Sequence, residues 1–584
     1  MLGLSIVKSR TALVSCVLAA CGGTAPVEGP QPSPSPSTSP SPTPSPSKPP
    51  DLAGPLFDPA HLVEVAIEIA PADWDALRAQ TRTASVLVGQ DCLAQPFADP
   101  FTWFSATVRI DGQRFGPVAV RKKGFLGSLS EIKPSLKIKL TEFDPTLEYL
   151  GLENFTLNNS IQDPSFVRTC LAYRVHEKSG NPAPRCNYAD VTVNGEHLGI
   201  YLNVETVKKP YLRRFFDRDD GTLWEGTVSD FRPGWMETFE LKSNQPEGGA
   251  RARLEELRAA LETSDAEALS AISGVIDLPA FLRFWAVESI IGHWDGYPGN
   301  ANNFFVYDDP SAGRMRFLPW GPDAAFTATS APDHANASVL AVSALPHRPY
   351  GLPAARAKYL DTVRQVMVDG FDETDLLARL DQARSLIEPH LTDRDRAGFA
   401  GGLDWVRHFL NTRRRSVMRE VGDGGAAIPS ALRDSICLLP AGDIDARFST
   451  TWGTHPTDNM LLTGTATVGG TLNGHPIAHG VGGAAAGFGV SPDDRGEIVL
   501  LALSVLGPNN YALVYLVMPP MSFGPGSYPI DGNVVRGALL TLPPGVSQLT
   551  LAGFFIQGSI TIDQGSTASG APIVGRVQSL MIRL

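Results

Sequence analysis

Residues 31 to 50 read QPSPSPSTSPSPTPSPSKPP, and this tract most limits what the chain can fold into. Proline fixes its own φ, lacks an N–H donor and disfavours helix in the residue before it, so alternating Pro and Ser can form neither a helix nor a sheet ladder. The expected state is an extended, polyproline-like spacer with no packed core. Folding into domains therefore falls to the residues beyond 50.

The residues ahead of the tract read as a targeting device. Lys8 and Arg10 stand before a short apolar run, TALVSCVLAA, that ends in small residues ahead of Cys21. The run is too short to span a bilayer comfortably. Leu18-Ala19-Ala20-Cys21 resembles a bacterial lipobox, which implies cleavage before Cys21 and a diacylglycerol on its sulfur; the plainer alternative is a signal peptide with an incidental Cys. The lipoprotein reading divides the start of the chain into a signal peptide (1–21) and a Pro/Ser-rich tether (22–55). It expects membrane attachment through the lipid and display on a bacterial cell envelope or surface. Setting aside Cys16 and Cys21, four of the six cysteines remain: Cys92, Cys170, Cys186 and Cys437. In an exported protein these can pair in three ways, of which Cys170 with Cys186 closes the shortest loop. None has metal-ligand spacing.

A chain of 584 residues exceeds one hydrophobic core, so two or three domains are expected. Its 43% hydrophobic and 19% charged residues are ordinary for a globular protein, and a net charge of −12 argues against a nucleic-acid partner. Near residue 424 the composition shifts to Gly- and Thr-rich text with short apolar runs such as EIVLLALSVL and QLTLAGFFIQGSITI. That spacing argues for an all-β sandwich over 438–584. The sandwich shows no nucleophile triad or metal cluster; its expected use is binding a wall polymer, a glycan or a neighbouring protein, or capping the first domain.

The first domain, over 60–422, mixes both element types. HLVEVAIEIA alternates like a strand, and PADWDALRAQ places Pro71 in the first turn of a helix. A strand pair turns at Asp111-Gly112, and a later hairpin at Asn194-Gly195. Residues 277 to 294 carry Leu278, Phe281, Leu282, Trp285, Ile290 and Ile291 at largely helical spacing, a core helix delivering a loop at its C-terminal end. Two or three more helices are expected over 353–421. The run Arg413 to Arg415 is expected on a solvated helix face near a C-terminus.

Polar chemistry concentrates between His293 and Phe326. His293, Asp295 and Asn300 give H-x-D, four residues and Asn, the spacing with which a kinase loop supplies a base and a metal-binding amide. Asp323 comes after one expected hairpin. A carboxylate with an Asn carbonyl offers a hard cation oxygen ligands without closing its shell. The bland alternative is an Asn- and Gly-rich turn capped by its own side chains. Upstream, RKKGFLGSLSEIKPSLKIKL places Gly124 and Gly127 in a polar loop before Lys133, Lys137 and Lys139. Such a loop can cover a nucleotide's phosphates and meet their charge; equally, it can lead into a Lys-lined edge strand that resists aggregation. Glu205 ends the strand GIYLNV as a solvated carboxylate or, in a kinase-like site, as the holder of a phosphate-binding Lys.

Five segments in this order resemble the CotH kinase family: Lys123-Gly124 with the K-x-S-x-K-I-K strand at Lys133 to Leu140, N-x-S before the helix with Arg168, the hairpin from Val193 to Glu205, the D-G-x-x-x-N-x-N-N-F loop, and Pro319-Trp320. The resemblance implies an α+β, atypical protein-kinase-like domain ahead of the all-β sandwich. It also implies ATP with Mg2+ or Mn2+, and phosphorylation of Ser or Thr on exported protein substrates. It assigns Asp295 as the catalytic Asp and Lys137 as the phosphate-contacting lysine, with Lys123, Lys133 and Lys139 next and Glu205 as its partner. The metal falls to Asn300 and Asp323, with Asn303 competing for the Asn position; His293 is expected to hold the loop backbone. Family members typically read P-W-D-x-D where this chain reads Pro319-Trp320-Gly321-Pro322-Asp323. Either Asp323 serves the metal, or the domain is a catalytically inactive kinase-like adhesion or assembly protein.

Overall fold

The computed structural model describes residues 50–583 except 244–246, 328–334, 430, 455–463, 490–496, 508–509, 519–522, 531–534 and 543–549. The expected signal peptide, with Cys21, and the expected tether through residue 49 lie outside the described residues. Residues 50–55, expected in the tether, belong to the fold: Ala53 is buried against the first core beside Leu56 and Phe57, and Asp51 pairs with Arg185 at 2.7 Å.

Seven strands close into a barrel: β1 (Leu62–Ile69), β2 (Phe104–Ile110), β3 (Gln113–Lys123), β4 (Ser135–Lys139), β5 (Asn154–Asn158), β6 (Cys186–Val193) and β7 (Glu196–Val204). Strict alternation drives it. In β1, Val63, Val65, Ile67 and Ile69 are buried while Glu64 and Glu68 face water, and a period-2 pattern with one apolar face must find a core. Pairing is antiparallel except where β1 meets β6 to close the barrel. The expected turns are present, with Asp111 and Asn194 each at φ near +50 ahead of Gly112 and Gly195. Helix α1 (Pro71–Ala79) adds Trp74 and Leu77 to the barrel core.

The second half is built on helices α2 (Arg168–Lys178), α3 (Lys209–Phe215), α4 (Glu247–Leu261), α5 (Ala268–Val275), α6 (Leu278–Ile290), α7 (Tyr297–Asn300), α8 (Ala344–Gly351), α9 (Pro353–Asp369), α10 (Glu373–Ile387) and α11 (Asp393–Gly422). They accompany a four-stranded sheet of β8 (Thr222–Gly226), β9 (Glu240–Leu241), β10 (Phe304–Asp309) and β11 (Arg314–Pro319). Helix α6 is its axis. Asp277 caps it by accepting from the Ala280 N–H at 3.0 Å, and Phe281, Phe284, Trp285, Val287 and Ile290 are all buried, so it is a core helix as its spacing predicts. Its far end is capped from α11. Arg413 donates to the carbonyls of Ser289 and Ile290, both at 2.7 Å, and Arg414 binds Glu373. Arg413 thus leaves the solvated face to satisfy terminal helix carbonyls at the root of the loop that carries Asp295, while Arg415 stays exposed as expected.

From Pro440–Thr451 to Pro572–Ile582 ten strands form one antiparallel sheet. The sheet folds over so that Thr465–Leu472 and His475–Gly482 lie against Glu497–Gly507, enclosing Ala446, Phe448, Val468, Leu539 and Val577. The all-β region is therefore layered as a sandwich is, with its hydrogen bonding continuous. Of the three cysteine pairings, the fold adopts Cys92–Cys437 and Cys170–Cys186.

Candidate active site

Register explains why distant letters of the sequence meet. In the β10–β11 hairpin Phe304 pairs with Pro319, so Asn303 just before it and Trp320, Gly321 and Asp323 just after it emerge at one end. The loop from α6 arrives at the same place. Its geometry depends on Gly296: a Cβ there would lie 2.0 Å from Glu288 Oε2 and 2.6 Å from His293 Nδ1.

Those two groups form a buried ion pair, His293 Nδ1 to Glu288 Oε2 at 2.7 Å, while the other carboxylate oxygen meets His176 Nε2 at 3.0 Å. His293 therefore holds the loop, through a carboxylate rather than through the loop backbone. Burial works against charge on His293, yet the Glu288 carboxylate outweighs it and raises the pKa; burial of Glu288 is likewise outweighed, and the two imidazoles hold it down to about 2. His176 is lowered by burial.

Asp295 is clasped by three amides. Asn300 and Asn302 donate to Oδ1 at 2.5 and 3.2 Å, and Asn303 donates to Oδ2 at 2.9 Å. Asp295, Asn302, Asn303 and Asp323 line a cleft of about 220 Å3. Asn300 is not among its lining residues; its carbonyl accepts from Arg433 at 2.8 Å. Of the two competing assignments, it is Asn303 that faces the cleft.

Opposite lie the barrel lysines. Lys123 and Lys137 line the cleft, Lys123 donating to Asn158 Oδ1 at 2.5 Å. Burial pushes both down to about 8, against the pull of Glu225. Lys133 is elsewhere, locked to Asp395 at 2.6 Å, and Lys139 pairs with Glu142 at 2.7 Å. Glu205 is not the partner of Lys137. Its carboxylate, 1% exposed, is held by Arg185 at 2.8 Å and by Arg214, because the end of β7 turns away from the cleft. The carboxylate facing the lysines is Glu225 on β8: burial raises its pKa, but Lys242, Lys137 and Lys123 together bring it below the ordinary value. Sequence reasoning missed Glu225 because it stands in a strand without a motif; Asn302 stood inside a noticed motif but at an unassigned position.

Among the described residues no group of three or more His, Cys, Asp or Glu could hold a metal ion. The cleft instead offers oxygen from two carboxylates and an Asn amide, the donor type that hard divalent cations take. Burial and the Asp295 charge push the Asp323 pKa up to about 6, more than His293 and Lys123 offset, so the two carboxylates call for further positive charge. A divalent cation fits that need, with Asp323 and Asn303 to hold it. Gly321, at φ +56, sits where a Cβ would come within 3.2 Å of Asn303 Oδ1, so the site's second acid stands at 323 with nothing but backbone at 321.

Residues 120–417, just over half of the chain, match the family described as CotH kinase protein. The chain is 25% identical over 187 residues to the inner spore coat protein H of Bacillus subtilis, a stretch covering 30% of this chain and 51% of that protein. It is 26% identical over 189 residues to invasin CotH2 of Rhizopus delemar, covering 30% and 32%. The chain thus spans about half the length, or less, of these relatives. Among solved structures, the Helicobacter pylori proinflammatory kinase CtkA aligns with a TM-score of 0.28 at 10% identity, covering 52% of this chain and 94% of that one. Lys123-Gly124, the Lys137 strand and the Asp295-to-Asp323 loop all fall inside the matched range, and the chain belongs to the CotH kinase protein family.

Proposed function

We propose that this protein is a surface-associated, CotH-like protein kinase that moves the γ-phosphoryl group of ATP to Ser or Thr hydroxyls of exported proteins. One observation carries the reading: Asp295, Asn303 and Asp323 share one cleft with Lys123 and Lys137, although up to two hundred residues separate them in the chain. The names of the relatives, a spore coat protein and fungal invasins, support placement at a cell surface.

Each group has its own task. A carboxylate has about four lone-pair sites, and the Asn amides occupy two on Asp295 Oδ1 and one on Oδ2. The remaining site, on Oδ2, accepts the proton of an attacking hydroxyl. Three donors orient that carboxylate before substrate arrives, which is how positioning lowers a barrier. Lys123 and Lys137 neutralise phosphate oxygens, and Glu225 keeps Lys137 charged. Asp323 and Asn303 would hold magnesium or manganese, which when bound would supply charge neutralisation on the phosphates.

Calorimetric titration of the full chain with ATP and Mn2+ tests this reading. Saturable, metal-dependent binding is expected; the absence of nucleotide binding in wild-type protein would count against it. Gly321 favours a second reading, a kinase-like adhesion or assembly protein that has lost transfer, and binding without transfer would select it.

A further inference from the structure

The loop between α1 and β2 roofs the cleft, contributing Arg82, Pro96, Phe97, Asp99 and Phe101 to its walls. Within it Arg82 is only 8% exposed, and its Nε has no hydrogen-bond partner. Among the described residues it forms no ion pair. Both carboxylates in electrostatic reach are already committed: Asp99 pairs with Arg121, and Glu240 takes Lys242 at 2.6 Å. Arg82 is thus a cation in the cleft wall whose charge no neighbour has claimed.

An aromatic platform lies beneath it. The guanidinium lies over the Phe125 ring at 4.7 Å, and Phe97 meets that ring edge-on at 5.2 Å. A guanidinium seated over an aromatic ring makes no hydrogen bond to it, which leaves its N–H donors available to grip an oxyanion by two parallel bonds. Phe125 comes directly after Lys123-Gly124, so the ring beneath the guanidinium belongs to the loop that follows Lys123. The roof is anchored behind it by the Cys92–Cys437 disulfide and by Leu438 N–H donating to Leu87 at 2.7 Å.

We infer that Arg82 forms an oxyanion subsite in the roof of the cleft, taking a phosphate group either of the nucleotide or carried by the acceptor. The nucleotide arm rests on the proposed kinase reading; the subsite itself does not.

The test uses full-length protein, with Arg82→Gln and Arg82→Lys, titrated with inorganic tripolyphosphate, with ATP and Mn2+, and with orthophosphate added on top of saturating ATP, all at constant ionic strength. Wild type is expected to bind tripolyphosphate, and Arg82→Gln to weaken that binding about tenfold, the loss of one charge-assisted contact. Arg82→Lys, which keeps the charge but loses the fork, should fall between, and it carries the test if the Gln variant melts early. Weakened ATP binding assigns the subsite to the nucleotide; unchanged ATP binding with weakened orthophosphate binding assigns it to the acceptor. No anion binding by wild type, or equal binding by wild type and both variants, overturns the inference. Tripolyphosphate binding without any phosphoryl transfer would sink the kinase reading and leave the subsite standing.

Discussion

Asn303 donates from one amide nitrogen to both the side chain and the backbone carbonyl of Asp295, at 2.9 and 3.0 Å, while its Oδ1 faces the backbone of Gly321. One side chain therefore orients the candidate base and presents an oxygen at Gly321, two residues before the candidate metal acid. Asn300 only orients. Asn303→Ala is expected to weaken Mn2+-dependent ATP binding at least tenfold, and Asn300→Ala by a few-fold at most, when both are measured by calorimetry. Equal losses would return the metal role to Asn300.

Gly296 is a packing requirement. A methyl group there enters the His293–Glu288 pair, and breaking a buried ion pair by displacing one partner costs on the order of 3 kcal/mol. Gly296→Ala should lower stability by that amount in urea titration, whereas Gly401→Ala, with nothing near its Cβ, should be neutral or stabilising.

The lysine pair sets a pH dependence. Burial lowers Lys137 from 10.5 to about 8, and the charged groups facing it are Glu225, which opposes the shift, and Lys123, Lys242 and Arg121, which add to it. The unfolded chain holds this proton up to about 10.5, so below about 8 the buried charge costs stability, and that cost is relieved as pH rises towards 10.5. Nucleotide binding runs the other way, since its phosphates need the ammonium. ATP affinity should therefore fall as pH rises through about 8, and Lys137→Met should remove part of that fall, Lys123 carrying the rest, while lowering affinity throughout.

Arg433 couples the segment leading to the C-terminal sheet with the loop of Asp295. Its guanidinium donates to the Asn300 carbonyl at 2.8 Å, its own N–H donates to Val342 at 2.8 Å, and four residues later Cys437 is bonded to the roof. Arg433→Ala should raise amide hydrogen exchange across residues 295–303 several-fold with little change in global stability. Unchanged exchange would show that the loop holds itself.

The sequence announces elements better than neighbours. Alternation in β1, the Asp111-Gly112 and Asn194-Gly195 turns and the apolar spacing of α6 are local signals, and local physics suffices for them. Asp295, Asn303, Asp323, Lys123 and Lys137 were legible because their motifs carry them. Glu225 and Arg82 have no motif, and only the pairing of β8 with β10 and the folding back of the roof bring them to the cleft. Glu205 misled for the same reason: a strand-end carboxylate reads alike in sequence whether it turns towards the cleft or, as here, into the arms of Arg185 and Arg214.

Transfer of label from γ-labelled ATP, with Mg2+ or Mn2+, to a Ser- and Thr-rich exported protein or to the chain itself tests the central claim most directly. Wild type is expected to transfer label, while Asp295→Asn and Asp323→Asn, each still folded by circular dichroism, should lose at least a hundredfold. Label transfer that survives in both variants would contradict the account, as would its absence from wild-type protein that binds ATP and metal.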